Sequence, residues 1–216
     1  MVEFLALAQQ CAPAVHPTTM AAVARVESGF NPFAIGVVAG HLERQPKTKA
    51  EAVATAKALE ASGFNFSLGV GQVNRYNLPK YGLTYESAFD PCQNLRAASL
   101  ILKDCYDRAK SRSLNDQDAL QASFSCYYSG NFSTGFRPDF KGQPSYVQKV
   151  LNSAGIGDQA RPVSPIRVIA HTKSKAEPVA KASRASAVKV TAMAEGEDTT
   201  IAKGYGSGND SVMVYR

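Results

Sequence analysis

The 216-residue chain has no tryptophan, and aromatic residues account for only 9% of it. An aromatic-rich β-sandwich core is therefore disfavoured, and the many Ala, Leu and Val residues suit a helical core. Charged residues are also few, at 19%, whereas the hydrophobic share of 44% is enough for one good core. The composition predicts a mainly α protein with one globular domain.

Histidine is scarce as well, because His16, His41 and His171 are scattered without HxxxH or HxxE spacing. The sequence therefore predicts no metal site. The glycine-rich stretch GVGQVN lacks the Lys and the flanking strand and helix of a phosphate loop, so no nucleotide cofactor is expected. The formal net charge of +6 is too modest to indicate nucleic-acid binding.

Long apolar runs are missing too, since no stretch approaches the ~20 apolar residues of a transmembrane helix. The opening MVEFLALAQQ is apolar but short, carries Glu3, and has neither a basic start nor a clear small-residue cleavage site. It is therefore not interpreted as a signal peptide. If the protein is exported, we expect an unusual leader or a segment that this sequence does not include.

Four cysteines, Cys11, Cys92, Cys105 and Cys126, are present, an even number that fits two disulfides in an oxidising compartment. Four reduced thiols in the cytosol fit the count equally well, whereas CxxC spacing for zinc is missing. On one helix Cys92 and Cys105 lie roughly 20 Å apart, beyond the ~7 Å limit for bridged Cα atoms. We favour Cys11 with Cys92 and Cys105 with Cys126, and the crossed pairing stays open.

Hydrophobic periodicity, capping residues and glycine stops predict six helices. The segment between the third and fourth, FNFSLGVGQVNRYNLPKYG, is rich in Gly and Asn and predicts an ordered loop or short hairpin. The predicted helices cover residues 2–10, 18–28, 48–63, 90–110, 115–130 and 145–153.

The end of the chain differs in composition from the rest. Beyond Gly157 it has no Phe, Leu, Trp or Cys and is full of Ala, Ser, Lys, Val and Pro, which cannot supply a core. We expect a folded domain over 1–156 and a disordered basic tail over 157–216. Seven basic residues and one acidic residue between Arg161 and Met193 would let this tail bind anionic surfaces, although a merely solvated linker fits equally well.

A carboxylate stands at an unusual place in the stretch ARVESGFNP, where Glu27 ends an apolar helix just before Gly29. The carbonyl end of the helix dipole and the apolar neighbours Val23, Val26 and Phe30 are both expected to raise the pKa of this carboxyl. A protonated carboxylic acid at neutral pH can protonate a glycosidic oxygen. An isolated Glu at a helix end is ordinarily a solvated surface residue, so the assignment depends on the surrounding motifs.

Four motifs follow in an order and spacing that resemble the lysozyme-like lytic transglycosylases, whose pattern is ES, GLMQxN, AYNxG and YVxxV. Here they are Glu27-Ser28, GVGQVN at 69–74, CYYSG at 126–130 and SYVQKV at 145–150. The resemblance spans about residues 8–153 and implies a lysozyme-like fold of the goose-type/SLT kind. It also implies a periplasmic enzyme that acts on peptidoglycan glycan strands.

Further stretches resemble one subgroup, the small transglycosylases of type IV secretion and conjugation machines. They are CAP at Cys11, the run ESGFNPFAIGV, and DPC at 90–92. This resemblance implies local opening of the cell wall for assembly of a secretion apparatus. Contacts with other secretion components, for instance through the tail, are part of the same expectation.

The resemblance makes Glu27 both the acid and the base that cleave the bond between N-acetylmuramic acid and N-acetylglucosamine, with closure of a 1,6-anhydro ring. Usual retaining hydrolases need a second carboxylate at ~5 Å, and inverting ones need it at ~6.5 to 9.5 Å. Glu43 and Asp90 are the nearest carboxylates in sequence, but neither lies in a family motif. Asp90 is better explained as a helix cap.

The resemblance also implies substrate-binding residues in the second motif. The amide of Gln72 suits an N-acetyl group or a sugar hydroxyl, and the alternative is a loop Gln that bonds backbone. Gly69 and Gly71 are expected to let the backbone approach the sugar closely, although Gly71 stands where the family usually has Met. Asn74 is a further candidate sugar contact, with turn formation as its alternative.

Tyr127 matches the motif tyrosine and is expected to hold the carboxyl, or the sugar near it, through its hydroxyl. Tyr128 stands where Asn is usual, and one of the two tyrosines is expected to be a core aromatic. Ser28 is another candidate sugar contact or turn residue. These residues complete the substrate-binding set predicted from the sequence.

Two other functions compete with a lytic transglycosylase. A muramidase would hydrolyse the same bond with water. A non-enzymatic assembly factor would use an inactive lysozyme fold and the basic tail to recruit secretion components. The intact Glu27, Gln72 and Tyr127 favour an enzyme.

Overall fold

A computed structural model of the protein describes residues 2–155. This part of the chain contains seven α-helices and a three-stranded antiparallel sheet, which confirms the mainly α class. The helices are α1 (Val2–Cys11), α2 (Pro17–Ser28), α3 (Lys49–Ala61), α4 (Tyr85–Ala88), α5 (Pro91–Lys110), α6 (Asp116–Ser129) and α7 (Tyr146–Ser153). The six predicted helices agree with these bounds to within two residues, and the short α4 was not predicted.

The longest helix, α5, packs against α6 and α1 and forms the centre of the fold. It begins as predicted, because the Asp90 side chain accepts a hydrogen bond from Gln93 N at 2.9 Å and Pro91 occupies the first position. One buried apolar cluster joins every described helix and the sheet, and Leu95 and Val147 are among its members. Burial on α5 and α7 therefore places these helices around a common core.

The predicted loop or hairpin is a hairpin. Strands β2 (Phe66–Leu68) and β3 (Val73–Asn74) pair antiparallel across residues 69–72. Strand β1 (Ile35–Val37), which the sequence did not predict, pairs with the other side of β2. Three residues are too few to show the alternating pattern of a strand, so its formation depends on pairing with β2.

The free edge of β1 is covered by a side chain instead of a further strand. The Gln45 amide donates to Ile35 O at 3.0 Å and accepts from Ile35 N at 2.8 Å, as a neighbouring strand would. This pair folds residues 38–45 back along β1. It thereby fixes one wall of the groove described below.

Both favoured disulfides are confirmed. Cys11–Cys92 ties the end of α1 to the start of α5, with Cα atoms 5.1 Å apart. Cys105–Cys126 ties α5 to α6, with Cα atoms 5.8 Å apart. Two bridges in this small domain indicate an oxidising compartment.

The apolar start of the chain belongs to the fold. Residues 2–11 form α1, which packs on α2 and α5 and buries Ala8 and Cys11. Among the helices of residues 2–155, none combines the length and the apolar character needed to cross a membrane. The predicted tail over 157–216 lies outside the described residues.

Candidate active site

Glu27 lies in the last turn of α2 and is only 9% exposed. The helix ends there because Gly29 adopts the left-handed conformation, with φ of 59°, and donates to Arg25 O at 3.0 Å. The predicted glycine cap is therefore present. It leaves the Glu27 carboxyl at the carbonyl end of a helix and at the wall of a groove.

The groove has a volume of about 420 Å³ and lies between the end of α2 and the sheet. Its lining includes Glu27, the β1 residues, and a set of side chains from the following segments, namely His41, Leu42, Gln45, Ser67 and Gln72. Of the lining residues in the described part of the chain, Glu27 alone carries a carboxyl group. A second carboxylate at hydrolase distance is therefore not offered by this wall.

The Glu27 carboxyl is held by a tyrosine that lies 119 residues further along the chain, on a helix that packs against α2. Tyr146 is 1% exposed, and its hydroxyl donates to Glu27 Oε1 at 2.5 Å. Tyr146 is the first residue of α7, whose start is fixed by a capping box between Ser145 and Gln148. The sequence identified this motif but assigned no role to Tyr146, and its position directly after the Ser145 cap was the available signal.

The end of α2 is fastened to the turn of the hairpin. The Ser28 hydroxyl donates to Val70 O at 2.8 Å and to its own helix at Ala24 O. Ser28 therefore closes one side of the site by bonding backbone, which is the turn role considered for it. Its contact with sugar stays a prediction.

Asn94, a fully buried residue of α5, clamps the same turn. Its side chain accepts from Gly71 N at 2.7 Å and donates to Leu68 O at 2.9 Å and Ala88 O at 2.8 Å. All three partners are backbone groups, so this one side chain ties the turn and the end of α4 to α5. The sequence did not single out Asn94, because the pattern of α5 alone does not show which backbone groups lie opposite it.

The close packing at this turn leaves no room for a side chain at Gly69 or Gly71. A Cβ on Gly71 would come within 2.6 Å of the Ala98 Cβ, and one on Gly69 would collide with the Asn94 amide. Gly69 also has a φ of 75°, which favours glycine. The approach of these glycines to a sugar stays a prediction.

Tyr127 is buried, and its hydroxyl donates to Gly71 O at 2.5 Å. It therefore fixes the hairpin turn from the side of α6. Its ring is the core aromatic expected for one of the two tyrosines, whereas Tyr128 is half-buried and stacks on Tyr146 at 4.5 Å between ring centroids. The Tyr146 hydroxyl makes the contact with the carboxyl described above, and the contact expected of the Tyr127 hydroxyl with the carboxyl or the sugar near it stays a prediction.

Gln72 is buried at the groove with a φ of 51°, an uncommon value for a non-glycine residue. Its amide nitrogen donates to Ala34 O at 3.1 Å and Gly69 O at 2.8 Å, which uses both N–H groups. The amide oxygen lies over Gly36, where a Cβ would approach it to 2.6 Å. Gln72 thus offers an acceptor to a ligand and no free donor.

Asn74 is fully buried at the end of β3. Its side chain donates to Asn65 Oδ1 at 2.9 Å and accepts from Tyr76 N at 3.1 Å. These bonds match the turn-forming role considered for it, and a contact with sugar stays a prediction.

A family model described as Transglycosylase SLT domain matches residues 4–134. The chain belongs to this family. The transglycosylase is also 58% identical over 181 residues to the type IV secretion system protein virB1 of Brucella suis, with 83% of this chain and 75% of that relative covered. Protein virB1 of Agrobacterium fabrum is 34% identical over 154 residues, covering 70% of this chain and 59% of that protein. No solved structure gives a significant match.

Membership of this family makes the protein a lytic transglycosylase with a lysozyme-like fold. The matched residues contain Glu27, the hairpin turn and Tyr127 of the transglycosylase, whereas Tyr146 lies beyond them. Neither alternative carboxylate joins the groove: Glu43 is exposed outside its lining, and Asp90 caps α5 as expected.

Proposed function

We propose that the protein cleaves the β-1,4 bond between N-acetylmuramic acid and N-acetylglucosamine in peptidoglycan, with Glu27 as acid and base. The observation that carries this proposal is the Glu27 carboxyl, the one carboxyl among the described residues that line the groove, buried at a helix end and held by the Tyr146 hydroxyl. The groove of about 420 Å³ leaves room for a ligand beside this carboxyl.

Glu27 first gives its proton to the glycosidic oxygen, and the bond from this oxygen to the muramic acid anomeric carbon breaks. The carboxylate that remains then takes the proton of the muramic acid C6 hydroxyl. The C6 oxygen bonds to the anomeric carbon and closes the 1,6-anhydro ring. Glu27 ends protonated as it began, and no water is consumed.

The composition of the groove favours this chemistry over hydrolysis. A retaining hydrolase of the usual kind needs a second carboxylate as nucleophile, and an inverting one needs it to activate water. Because the C6 hydroxyl of the substrate is itself the nucleophile, neither a carboxylate nucleophile nor an activated water is needed. The N-acetyl group of the substrate can assist at the anomeric carbon, as the family resemblance implies.

The remaining predicted contacts complete the proposed substrate site. Gln72 accepts a hydrogen bond from an N-acetyl N–H or a sugar hydroxyl through its amide oxygen, the one part of its amide that is not bound to backbone. Ser28, Asn74 and the tyrosines act mainly by holding the groove in shape. We propose 1–156 as the catalytic domain and 157–216 as the tail.

The names of the relatives suggest the cellular setting. We propose that the protein works in the periplasm and opens the wall locally for a type IV secretion or conjugation apparatus. The two disulfides suit an oxidising compartment. Other secretion components are the proposed partners of the tail.

The deciding experiment is mass spectrometry of the muropeptides that purified peptidoglycan releases with wild-type protein and with Glu27→Gln. Glutamine keeps an acceptor for Tyr146 but has no proton to give. We expect 1,6-anhydromuramic ends from the wild type and none from the variant. Reducing ends lost with the variant would instead identify a muramidase, and no release by folded, oxidised wild type would favour the assembly factor.

A further inference from the structure

A contact network of four residues, Tyr146, Tyr128, Asp139 and Lys149, adjoins the Glu27–Tyr146 pair. The Tyr146 ring stacks on the Tyr128 ring with 4.5 Å between centroids and 16° between planes. The Tyr128 hydroxyl donates to Asp139 Oδ1 at 2.7 Å, and Asp139 Oδ2 lies 3.2 Å from Lys149 Nζ. Lys149 stands three residues after Tyr146 on α7, so the contact network begins and ends on the same helix.

Each contact removes one freedom of the Tyr146 ring. The stack fixes its plane, and the Asp139 hydrogen bond stops the half-buried Tyr128 ring from moving away. Lys149 holds the second oxygen of Asp139, so this carboxylate is bound at both ends. Because the Tyr146 hydroxyl touches Glu27, the orientation of that hydroxyl decides where one carboxyl oxygen lies.

We propose that Tyr128, Asp139 and Lys149 are positioning residues that hold Tyr146, and through it Glu27, in the geometry for proton transfer. This inference rests on the proposed function of Glu27. It gives Tyr128 a role different from the sugar contact that the sequence predicted. Small displacements of a reacting group lower the rate strongly, which is why such a support affects turnover.

The Asp139–Lys149 ion pair of this contact network contributes little to folding. The Lys149 and Asp139 side chains are 31% and 35% exposed, and ion pairs of this exposure contribute little to the free energy of unfolding. Substitutions in the contact network are therefore expected to leave the folded state intact. Their effect on turnover can be measured without a confounding loss of structure.

The test uses Tyr128→Phe, Asp139→Ala and Lys149→Met in the full chain, with kcat and KM measured on purified peptidoglycan. Tyr128→Phe keeps the stacked ring and removes the hydroxyl that donates to Asp139. We expect kcat to fall roughly tenfold with KM within about twofold of wild type. Lys149→Arg keeps a cation in reach of Asp139 and is expected to restore the wild-type kcat.

The chain contains a matched control. The Tyr106 hydroxyl donates to Asp116 Oδ1 at 3.1 Å, and Lys110 Nζ lies 2.9 Å from the same oxygen. This triad has the same chemistry but lies at the other end of α6. Tyr106→Phe and Asp116→Ala are expected to leave kcat and KM unchanged, and urea unfolding checks that all variants are folded.

The ¹³C chemical shift of the Glu27 carboxyl carbon gives a readout that needs no activity. We expect it to change with Tyr128→Phe and Asp139→Ala and to stay constant in the two control variants. If wild type releases no anhydro product, the proposed function fails, and an unchanged shift would then overturn the positioning role as well.

Three kinetic outcomes would overturn the inference. The first is a wild-type kcat in all three variants of the contact network, namely Tyr128→Phe, Asp139→Ala and Lys149→Met. The second is an equal loss of kcat in the Tyr106 and Asp116 variants. The third is a raised KM at constant kcat for Tyr128→Phe, which would return Tyr128 to the substrate-contacting set.

Discussion

At the scale of single residues, the proposed chemistry depends on the environment of one carboxyl. The Glu27 carboxyl lies at the end of α2 with little exposure, and Tyr146 donates a hydrogen bond to Oε1. One oxygen is thus held by the protein while the carboxyl still lines the groove. Such fixation suits the proposed role of Glu27, which is to give and then take a proton at the same place.

Replacement of Tyr146 by Phe tests this fixation. The ring and its stack on Tyr128 remain, and only the hydroxyl is lost. In the proposed reaction the carboxyl becomes charged as it gives its proton, and a hydrogen bond to a charged group contributes about 1.5 to 3 kcal/mol, so we expect kcat to fall by roughly tenfold or more. The measurement is the rate of soluble muropeptide release from purified peptidoglycan.

Tyr106→Phe is the control for this prediction, because Tyr106 also donates its hydroxyl to a carboxylate, Asp116. It should turn over substrate at the wild-type rate. Equal rates for Tyr146→Phe and wild type would show that the Glu27 carboxyl needs no hydroxyl partner for turnover.

At the scale of secondary-structure elements, the hairpin turn at residues 69–72 is held from three helices. Ser28 at the end of α2 bonds Val70, Asn94 of α5 bonds Gly71, and Tyr127 of α6 bonds the Gly71 carbonyl. Such polar contacts to backbone keep a short turn in one conformation where apolar packing alone would not. The position of Gln72 at the groove follows from them.

Asn94→Ala is expected to destabilise the domain more than most substitutions on α5. It takes a hydrogen-bond partner from one buried N–H and two buried carbonyls, and a loss of about 1 kcal/mol or more at each gives at least roughly 3 kcal/mol in total. Urea unfolding followed by circular dichroism measures it.

Asn152→Ala on the exposed side of α7 serves as the comparison, and a change within about 0.5 kcal/mol is expected there. A similarly small effect of Asn94→Ala would mean that the hairpin turn does not depend on this clamp.

At the scale of the whole molecule, the two disulfides link α5 to α1, which precedes it in the chain, and to α6, which follows it. Cys11–Cys92 closes a separation of 81 residues, whereas Cys105–Cys126 closes one of 21. A cross-link restricts the unfolded chain more when it closes a longer loop. The first bridge is therefore the more stabilising one.

Removal of each bridge by paired Cys→Ala changes tests which disulfide stabilises the fold more. Loop-closure entropy gives about 4.5 kcal/mol for the Cys11–Cys92 bridge and about 3.3 kcal/mol for Cys105–Cys126. We expect the Cys11/Cys92 variant to unfold at the lower urea concentration. The reverse order would show that the loss of local packing around Cys105 and Cys126 outweighs the entropy of the longer loop.

The sequence by itself determined the six longer helices, the family and the carboxyl proposed for catalysis, and it excluded one of the three possible disulfide pairings. Their signals are local: Asp90 and Pro91 start α5, Gly29 ends α2 beside Glu27, and the 13-residue spacing on α5 forbids a bridge from Cys92 to Cys105. Local signals suffice because capping and helical periodicity involve residues within a few positions of each other.

The tertiary structure alone decided which side chains meet. Tyr146 reaches Glu27 from 119 residues away, Asn94 finds the turn at Gly71, and Gln45 completes the edge of β1. It also explained Gly69 and Gly71 by their close packing against α5. These contacts satisfy buried polar groups, and which groups need a partner becomes known only when packing brings distant segments together.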